Sequence, residues 1–206
     1  MIKQLFSIPL WHDTCNMDPI VAQDLYDQII EDKTPNNHSW KCDVNSTFSL
    51  NSNDSVNYYN ASLYYKEAYE NFVNFLEYNL SEHTYNISKI WYNKYSSKQY
   101  QEQHHHLPST FSGIHYLKLK EGHTYTTFFN PSKYEYLYED YAKELYSICN
   151  PDDIMHSFVY RRWSIPVQEG DIIIFPSCFE HAVFPQKLDE ERITVSFNLD
   201  VHMRLM

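Results

Sequence analysis

The sequence predicts an α+β chain whose second half builds a sandwich or jelly roll interrupted by one helical insertion. Two textures carry this. Before residue 88, apolar residues recur at helical spacing in two segments. From residue 88 onward the chain breaks into short runs rich in β-branched and aromatic residues, most of them separated by turn residues.

In order, "IKQLFSIPLW" alternates polar and apolar residues and carries Pro9, which reads as an edge strand. "DPIVAQDLYDQIIEDK" offers Asp18 as N-cap and Pro19 at the first helical position, with Ile20, Val21, Leu25, Ile29 and Ile30 spaced as one stripe. Residues 31–60 are polar and asparagine-rich and read as loop or short irregular strands. "ASLYYKEAYENFVNFLEYNL" predicts a second helix, with Leu63, Ala68, Phe72, Val73 and Phe75 on or near one face. The strand candidates then follow: "SKIWYNKYSS", "YQEQHHH", "STFSGIHYLKL", "TYTTFFN", "FVYRRWSIPV", "DIIIFPS", "HAVFPQK" and "RITVSFNLDV". Between the fourth and fifth lies "SKYEYLYEDYAKELYSICN", near 132–150, a helical insertion that reads equally as a lid over the mouth or as an amphipathic helix on the sheet.

Residues 1–206 read as a single domain, with 1–87 as strand and helical support and 88–206 as the core that carries the site. Hydrophobic residues make up 43% of the chain, enough for a sizeable core. No stretch is long or apolar enough to span a bilayer, and no signal peptide is read at the start. Four scattered cysteines without a CxxC pair fit a reducing compartment, so the expected location is cytoplasmic (host cytoplasm if the chain is viral). A net charge of −11 argues against nucleic-acid partners, because phosphate attraction dominates such binding. It leaves open a small anion held by a buried arginine. The 19 tyrosines carry no functional weight in so biased a composition.

The chemistry starts at "EQHHH". In an extended strand Glu102, His104 and His106 share one face, while Gln103 and His105 share the other. Side chains two apart lie roughly 6.5 Å apart along the backbone, near enough for two imidazoles to share one ion. Alone, the cluster reads more readily as a polar strand end. It gains a distant partner in His181, at the beginning of "HAVFP" after the buried run "DIIIFP". Further on, "RITVSFN" sets Arg192 on a strand with Thr194, Ser196 and Asn198 on its face. An arginine turned into a β-barrel is costly unless it meets an anion, and a nearby hydroxyl supplies a second donor to one.

With those blocks in view, the chain resembles the iron(II)- and 2-oxoglutarate-dependent oxygenases, most closely a branch common in marine phage and bacterial genomes. The resemblance rests on "HHHLPSTFSGIHYL" and "GDIIIFPSCFEHAVFPQKLDEERITVSFN", with "LFSIPLW" as weaker support. It implies a double-stranded β-helix, the N-terminal helices packed on its sheet, with iron(II) at its mouth and 2-oxoglutarate as co-substrate. It implies that His104, His106 and His181 hold the metal. Arg192 would bind the far carboxylate of 2-oxoglutarate, assisted by Thr194 and by Asn198 on the same face. Most members of the wider superfamily carry H-x-D or H-x-E where this chain has His104-x-His106, which matches the pattern of the branch, so the resemblance implies an all-histidine triad. Glu102 is the alternative third ligand.

The expected activity is oxidative decarboxylation of 2-oxoglutarate coupled to hydroxylation of a small-molecule or peptidyl substrate. Two alternatives are a three-histidine dioxygenase of cupin type that does not use 2-oxoglutarate, and a non-catalytic jelly-roll binding module. Among the remaining polar residues, Arg161 and Arg162 alternate in facing, so one of them could look inward, but each reads more readily as a solvated arginine and neither is named as a site. His115 and Tyr116 likewise split between pocket and exterior. His123, His156 and His202 are expected on the surface or in loops.

Overall fold

A computed structural model describes residues 8–33, 42–48, 56–77, 82–131 and 160–203. Its elements are β1 (Trp11–Thr14), α1 (Pro19–Glu31), β2 (Asn45–Ser46), α2 (Tyr59–Phe75), β3 (His83–Tyr95), β4 (Gln101–His104), β5 (Phe111–Lys118), β6 (Thr126–Phe129), β7 (Arg162–Ser164), β8 (Asp171–Pro176), β9 (His181–Val183) and β10 (Arg192–Met203). The strands form a six-stranded sheet, ordered β1-β8-β5-β10-β3-β2, and a four-stranded sheet, ordered β4-β9-β6-β7. Every pairing is antiparallel. This is the two-sheet architecture of a jelly roll.

Local chemistry explains the helices. The Asp18 carboxylate accepts from the Ile20 backbone N–H at 2.8 Å, and Pro19 opens α1 with a φ already suited to the first turn. Only Leu25 and Ile29 of the expected stripe are buried; Ile20 and Ile30 face solvent. In α2, Ala68, Phe72 and Val73 are buried as expected, but Leu63 and Phe75 are exposed. Tyr65 and Tyr69 take their place, because a tyrosine ring fills a helix–sheet gap as well as an aliphatic group when its hydroxyl finds a partner.

Strand alternation sorts the large sheet into two chemistries. On β10, Ile193, Val195, Phe197 and Leu199 join one hydrophobic cluster with Leu25 and Ile29 of α1 and Tyr65, Phe72 and Val73 of α2. Arg192, Thr194, Ser196 and Asn198 alternate with them and are also buried. On β8, Ile172 and Ile174 enter the helix-side cluster, while Ile173 and Phe175 enter a second cluster with Ile114, Tyr116 and Phe128. A strand buried on both faces has no polar side to show, which is why "DIIIF" reads as an unbroken apolar run.

Some expectations shift and others hold. Among the described residues the N-terminal strand begins at Trp11, after Pro9; residues 1–7, where the expected edge strand starts, lie outside the described set. In the asparagine-rich stretch, the two-residue β2 and an isolated bridge from Asp43 to Tyr100 are, among the described residues, the short irregular strand pieces expected there. The insertion near 132–150 lies outside the described residues. Arg161 and Arg162 do not shift: both are exposed, the reading favoured for each, with Arg162 resting on the Phe184 ring at 4.9 Å. His123 is not a surface residue: it is 4% exposed and clips two loops together, accepting from the Lys120 N–H at 2.9 Å and donating to the Glu190 carbonyl at 3.0 Å. His202 is exposed on β10, and His156 lies outside the described residues.

Gly113 of β5 sits beneath the Phe197 ring, which stacks on Tyr65 with centroids 4.7 Å apart and planes 6° from parallel. A Cβ at 113 would fall 2.0 Å from Phe197 Cζ, so only glycine fits. Gly113→Ala is expected to destabilise the protein by about 1–3 kcal/mol through overpacking, read as a lowered urea midpoint with an unchanged slope.

His115, on the helix side of β5, accepts from the Tyr65 hydroxyl at 3.2 Å, and burial lowers its pKa to about 4. A base whose folded pKa lies below its unfolded value stabilises fully above the unfolded value near 6.5, and loses that contribution as pH falls towards the folded one. Thermal melts between pH 7 and pH 4 should therefore show a shallower acid loss for His115→Asn than for the native chain.

Candidate metal centre and its arginine cavity

His104 closes β4 and His181 opens β9, and the two are direct partners in the antiparallel ladder. His106 lies two residues beyond β4, where its backbone N–H donates to the Ser177 carbonyl at 2.8 Å and swings its ring back towards the pair. Ring centroids are 4.3 Å apart for His104–His181, 4.9 Å for His106–His181 and 5.2 Å for His104–His106. One ligand nitrogen from each of the three lies within 4.8 Å of the others. Closing on one ion, at the roughly 2.0–2.1 Å typical of a histidine–metal bond, takes only rotamer-scale adjustment.

Strict alternation does not hold through this segment. A bulge between Gln101 and His104 sets two residues of β4 against one of β9. Gln101 and His104 therefore line the same cavity. Glu102 lines an adjoining one with Phe48, and the metal-competent group contains His106 rather than Glu102. What Glu102 gives the site is its backbone carbonyl. His105 is exposed, as its parity implied.

Each imidazole has its proton placed by a neighbour. His104 Nδ1–H donates to the Glu102 carbonyl at 2.7 Å and His181 Nδ1–H to the Phe179 carbonyl at 3.0 Å. A carbonyl only accepts, so the proton sits on Nδ1 and the lone pair on Nε2. His106 Nδ1 meets Ser112 Oγ at 2.9 Å, and Ser112 gives its own proton to Asn198 Oδ1 at 3.0 Å. Ser112 is thus an acceptor towards His106, and Ser177 Oγ completes the cluster at 2.7 Å. Burial lowers the pKa of all three rings: His106 to about 3, His181 well below the usual imidazole range and His104 in the same direction. Neutral rings with Nε2 lone pairs converging are what a divalent cation requires.

The same cavity runs to Arg192. Its side chain is fully buried, its guanidinium 4.8 Å from the Tyr95 ring and 5.5 Å from the Tyr116 ring. Nη2 donates to Thr126 Oγ1 at 3.3 Å, while Nε and Nη1 have no hydrogen-bond partner among the described residues. No carboxylate pairs with Arg192 among the described residues. A buried, unneutralised guanidinium with two idle donors calls for an anion. Thr194 and Ser196 line this cavity beside it. Asn198 does not line it; it reaches the metal-competent group through Ser112.

Residues that the sequence did not single out complete the arrangement: Trp91, Asn93 and Tyr95 of β3, Gln101 of β4 and Thr126 of β6. Period-two facing in "IWYNKY" would have grouped the three from β3, but nothing in that run says which face looks inward. Tyr116 faces the arginine and His115 the helices, as alternation required.

The sequence pattern of the family described as "Putative 2OG-Fe(II) oxygenase" matches residues 89–198, more than half of the chain. The chain belongs to the 2OG-Fe(II) oxygenases. Iron(II) and 2-oxoglutarate are the cofactor and co-substrate of that family, and an all-histidine group beside an unpaired arginine fits both. No protein of curated function matches the chain in sequence.

Among solved structures, this oxygenase is similar in fold to the viral collagen prolyl hydroxylase of Paramecium Bursaria Chlorella virus-1 in its 2OG complex. That likeness has a TM-score of 0.55 at 14% identity, over 92% of this chain and 94% of that one. A Pseudomonas putida prolyl-4-hydroxylase gives a TM-score of 0.56 at 10% identity, over 94% and 93%. HygX from Streptomyces hygroscopicus, with nickel and 2-oxoglutarate bound, gives 0.57 at 8% identity, over 94% and 83%. No helix among the described residues is long and apolar enough to cross a membrane.

Ser112→Ala removes the acceptor that holds His106 Nδ1–H. Losing such an outer partner typically costs about 10- to 100-fold in metal affinity, and anaerobic Fe(II) titration of the variant is expected to show it.

Proposed function

We propose that this oxygenase is a hydroxylase of a small-molecule or peptidyl substrate, acting in the cytoplasm as a single domain over residues 1–206. In this reading His104, His106 and His181 hold iron(II) through Nε2, and Arg192 receives the far carboxylate of 2-oxoglutarate with Thr194 beside it. Asn198 serves by fixing Ser112 and through it His106. The observation that carries the reading is the buried Arg192, with Nε and Nη1 idle in the cavity that the three histidines also line.

Bound iron(II) and 2-oxoglutarate, with dioxygen as the oxidant, would supply chemistry in which one oxygen atom enters succinate as carbon dioxide leaves and the other hydroxylates a substrate C–H bond. The protein's own part is placement and dryness. Tyr95, Tyr116 and Thr126 hold the guanidinium, so its fork is set before the co-substrate arrives. Phe128 and Phe175 flank His181 with ring centroids 5.7 Å and 5.0 Å away, keeping water from that side of the group. The N-terminal helices back the large sheet that carries Arg192.

A three-histidine set is also what a cupin-type dioxygenase would present, with Arg192 then binding a substrate carboxylate. Succinate formation from 2-oxoglutarate by the Fe(II)-loaded protein separates the two. It is expected here, and its absence at saturating co-substrate would remove the proposal. Arg192→Ala should leave the co-substrate carboxylate unpaired in a buried site, costing about 2–5 kcal/mol, a loss of roughly 30- to 4,000-fold in 2-oxoglutarate affinity. Anaerobic calorimetry reads that directly.

A further inference from the structure

One more donor in this cavity lacks a partner, at the end opposite the arginine. Trp91 lines the cavity, is 1% exposed, and its indole N–H has no hydrogen-bond partner among the described residues. A buried N–H left unsatisfied is rare in a folded protein unless a ligand or water takes it. Its place is defined by register: β3 sets Tyr95 against Arg192, Asn93 against Thr194 and Trp91 against Ser196 on β10. The inward row Tyr95–Asn93–Trp91 therefore leads away from the guanidinium. At its far end the Trp91 ring meets the His106 ring edge to face, with centroids 5.2 Å apart. Phe48 holds the indole from another side, 4.8 Å away at 71°, so its orientation is set.

We infer that Trp91 is a co-substrate-positioning residue whose indole N–H donates to the keto-acid end of 2-oxoglutarate, the end nearest the metal. The inference rests on the proposed function and adds to it a residue for the half of the ligand that Arg192 does not reach. An anion spanning the cavity thereby meets unsatisfied donors at both ends: Nε and Nη1 of Arg192 at one and the indole N–H at the other. Asn93 lies between them, its Nδ2 donating to Ser196 Oγ at 3.3 Å and its Oδ1 without a partner among the described residues. Rotating that amide by half a turn lets the Ser196 hydroxyl donate to Oδ1 and frees an N–H for the ligand.

Trp91→Phe keeps an aromatic ring between Phe48 and His106 and deletes the donor together with part of the indole's bulk, and the Fe(II) titration below reads any loss of support for His106. The test is anaerobic calorimetry of the full chain with Fe(II) alone, then of the Fe(II)-loaded protein with 2-oxoglutarate and with oxalate. Oxalate offers the metal-binding end without the distal carboxylate. A hydrogen bond to a charged group predicts that Trp91→Phe weakens both 2-oxoglutarate and oxalate by about 10- to 100-fold. Fe(II) affinity should stay within about twofold of the native chain, and Arg192→Ala should weaken 2-oxoglutarate while sparing oxalate.

Unchanged binding of both anions to Trp91→Phe overturns the inference and leaves the proposed function standing. Equal losses for Fe(II) and the anions also overturn it, because they make Trp91 a support for His106 only. A native Fe(II) protein that binds oxalate but not 2-oxoglutarate overturns the functional reading beneath it.

Discussion

The structure turns on a guanidinium buried between two sheets. A charge in that position is tolerated only where its surroundings are arranged for it, and the surroundings of Arg192 show the arrangement. Two tyrosine rings lie within cation–π range, one threonine hydroxyl accepts, and a polar cavity opens where the remaining donors lie idle. To carry that inner face, β10 must be apolar on its other side, and α1 and α2 share the cluster that covers it. The helices, the two-faced strand and the cavity are thus consequences of one buried charge.

The histidines obey the same economy of protons. Two ring protons are given to main-chain carbonyls and the third to a serine whose own proton goes to Asn198. Main-chain acceptors cannot be lost by substitution, whereas Ser112 can. His106 is therefore the member of the metal-competent group whose tautomer depends on side-chain identity. A neutral ring at that position would leave the loaded site one unit more positive than a carboxylate would: with one anionic end of 2-oxoglutarate on the ion and the other on Arg192, the centre would keep one net positive charge.

Much of this was legible in the sequence, and its limits have physical causes. Asp18-Pro19 announced α1 because a cap and a fixed φ act locally. The alternation in "RITVSFN" announced both faces of β10, since period two is set by the backbone itself. His104, His106 and His181 could be paired across a distance through the resemblance, and the register of β4 on β9 shows why they meet. What the sequence could not show depended on tertiary choice. The bulge at Gln101–His104 brought Gln101 into the histidine cavity, which strict alternation would have turned away. Tyr65 and Tyr69 replaced Leu63 and Phe75 in the core because the sheet, and not the helix alone, selects the buried face. His123 looked like a loop residue, and it is one, but a buried one, because its two ring nitrogens satisfy two loop backbones at once.

The pairing of His104 with His181 has a mechanical meaning beyond coordination. Among the described residues, β4 stands at the border of the smaller sheet, four residues long and paired there with β9. A divalent ion gripped by rings from β4 and β9 would rivet that border to the interior of its sheet, so filling the centre and fastening the border would be one event. In such a design a short edge strand would report on whether the site holds its ion.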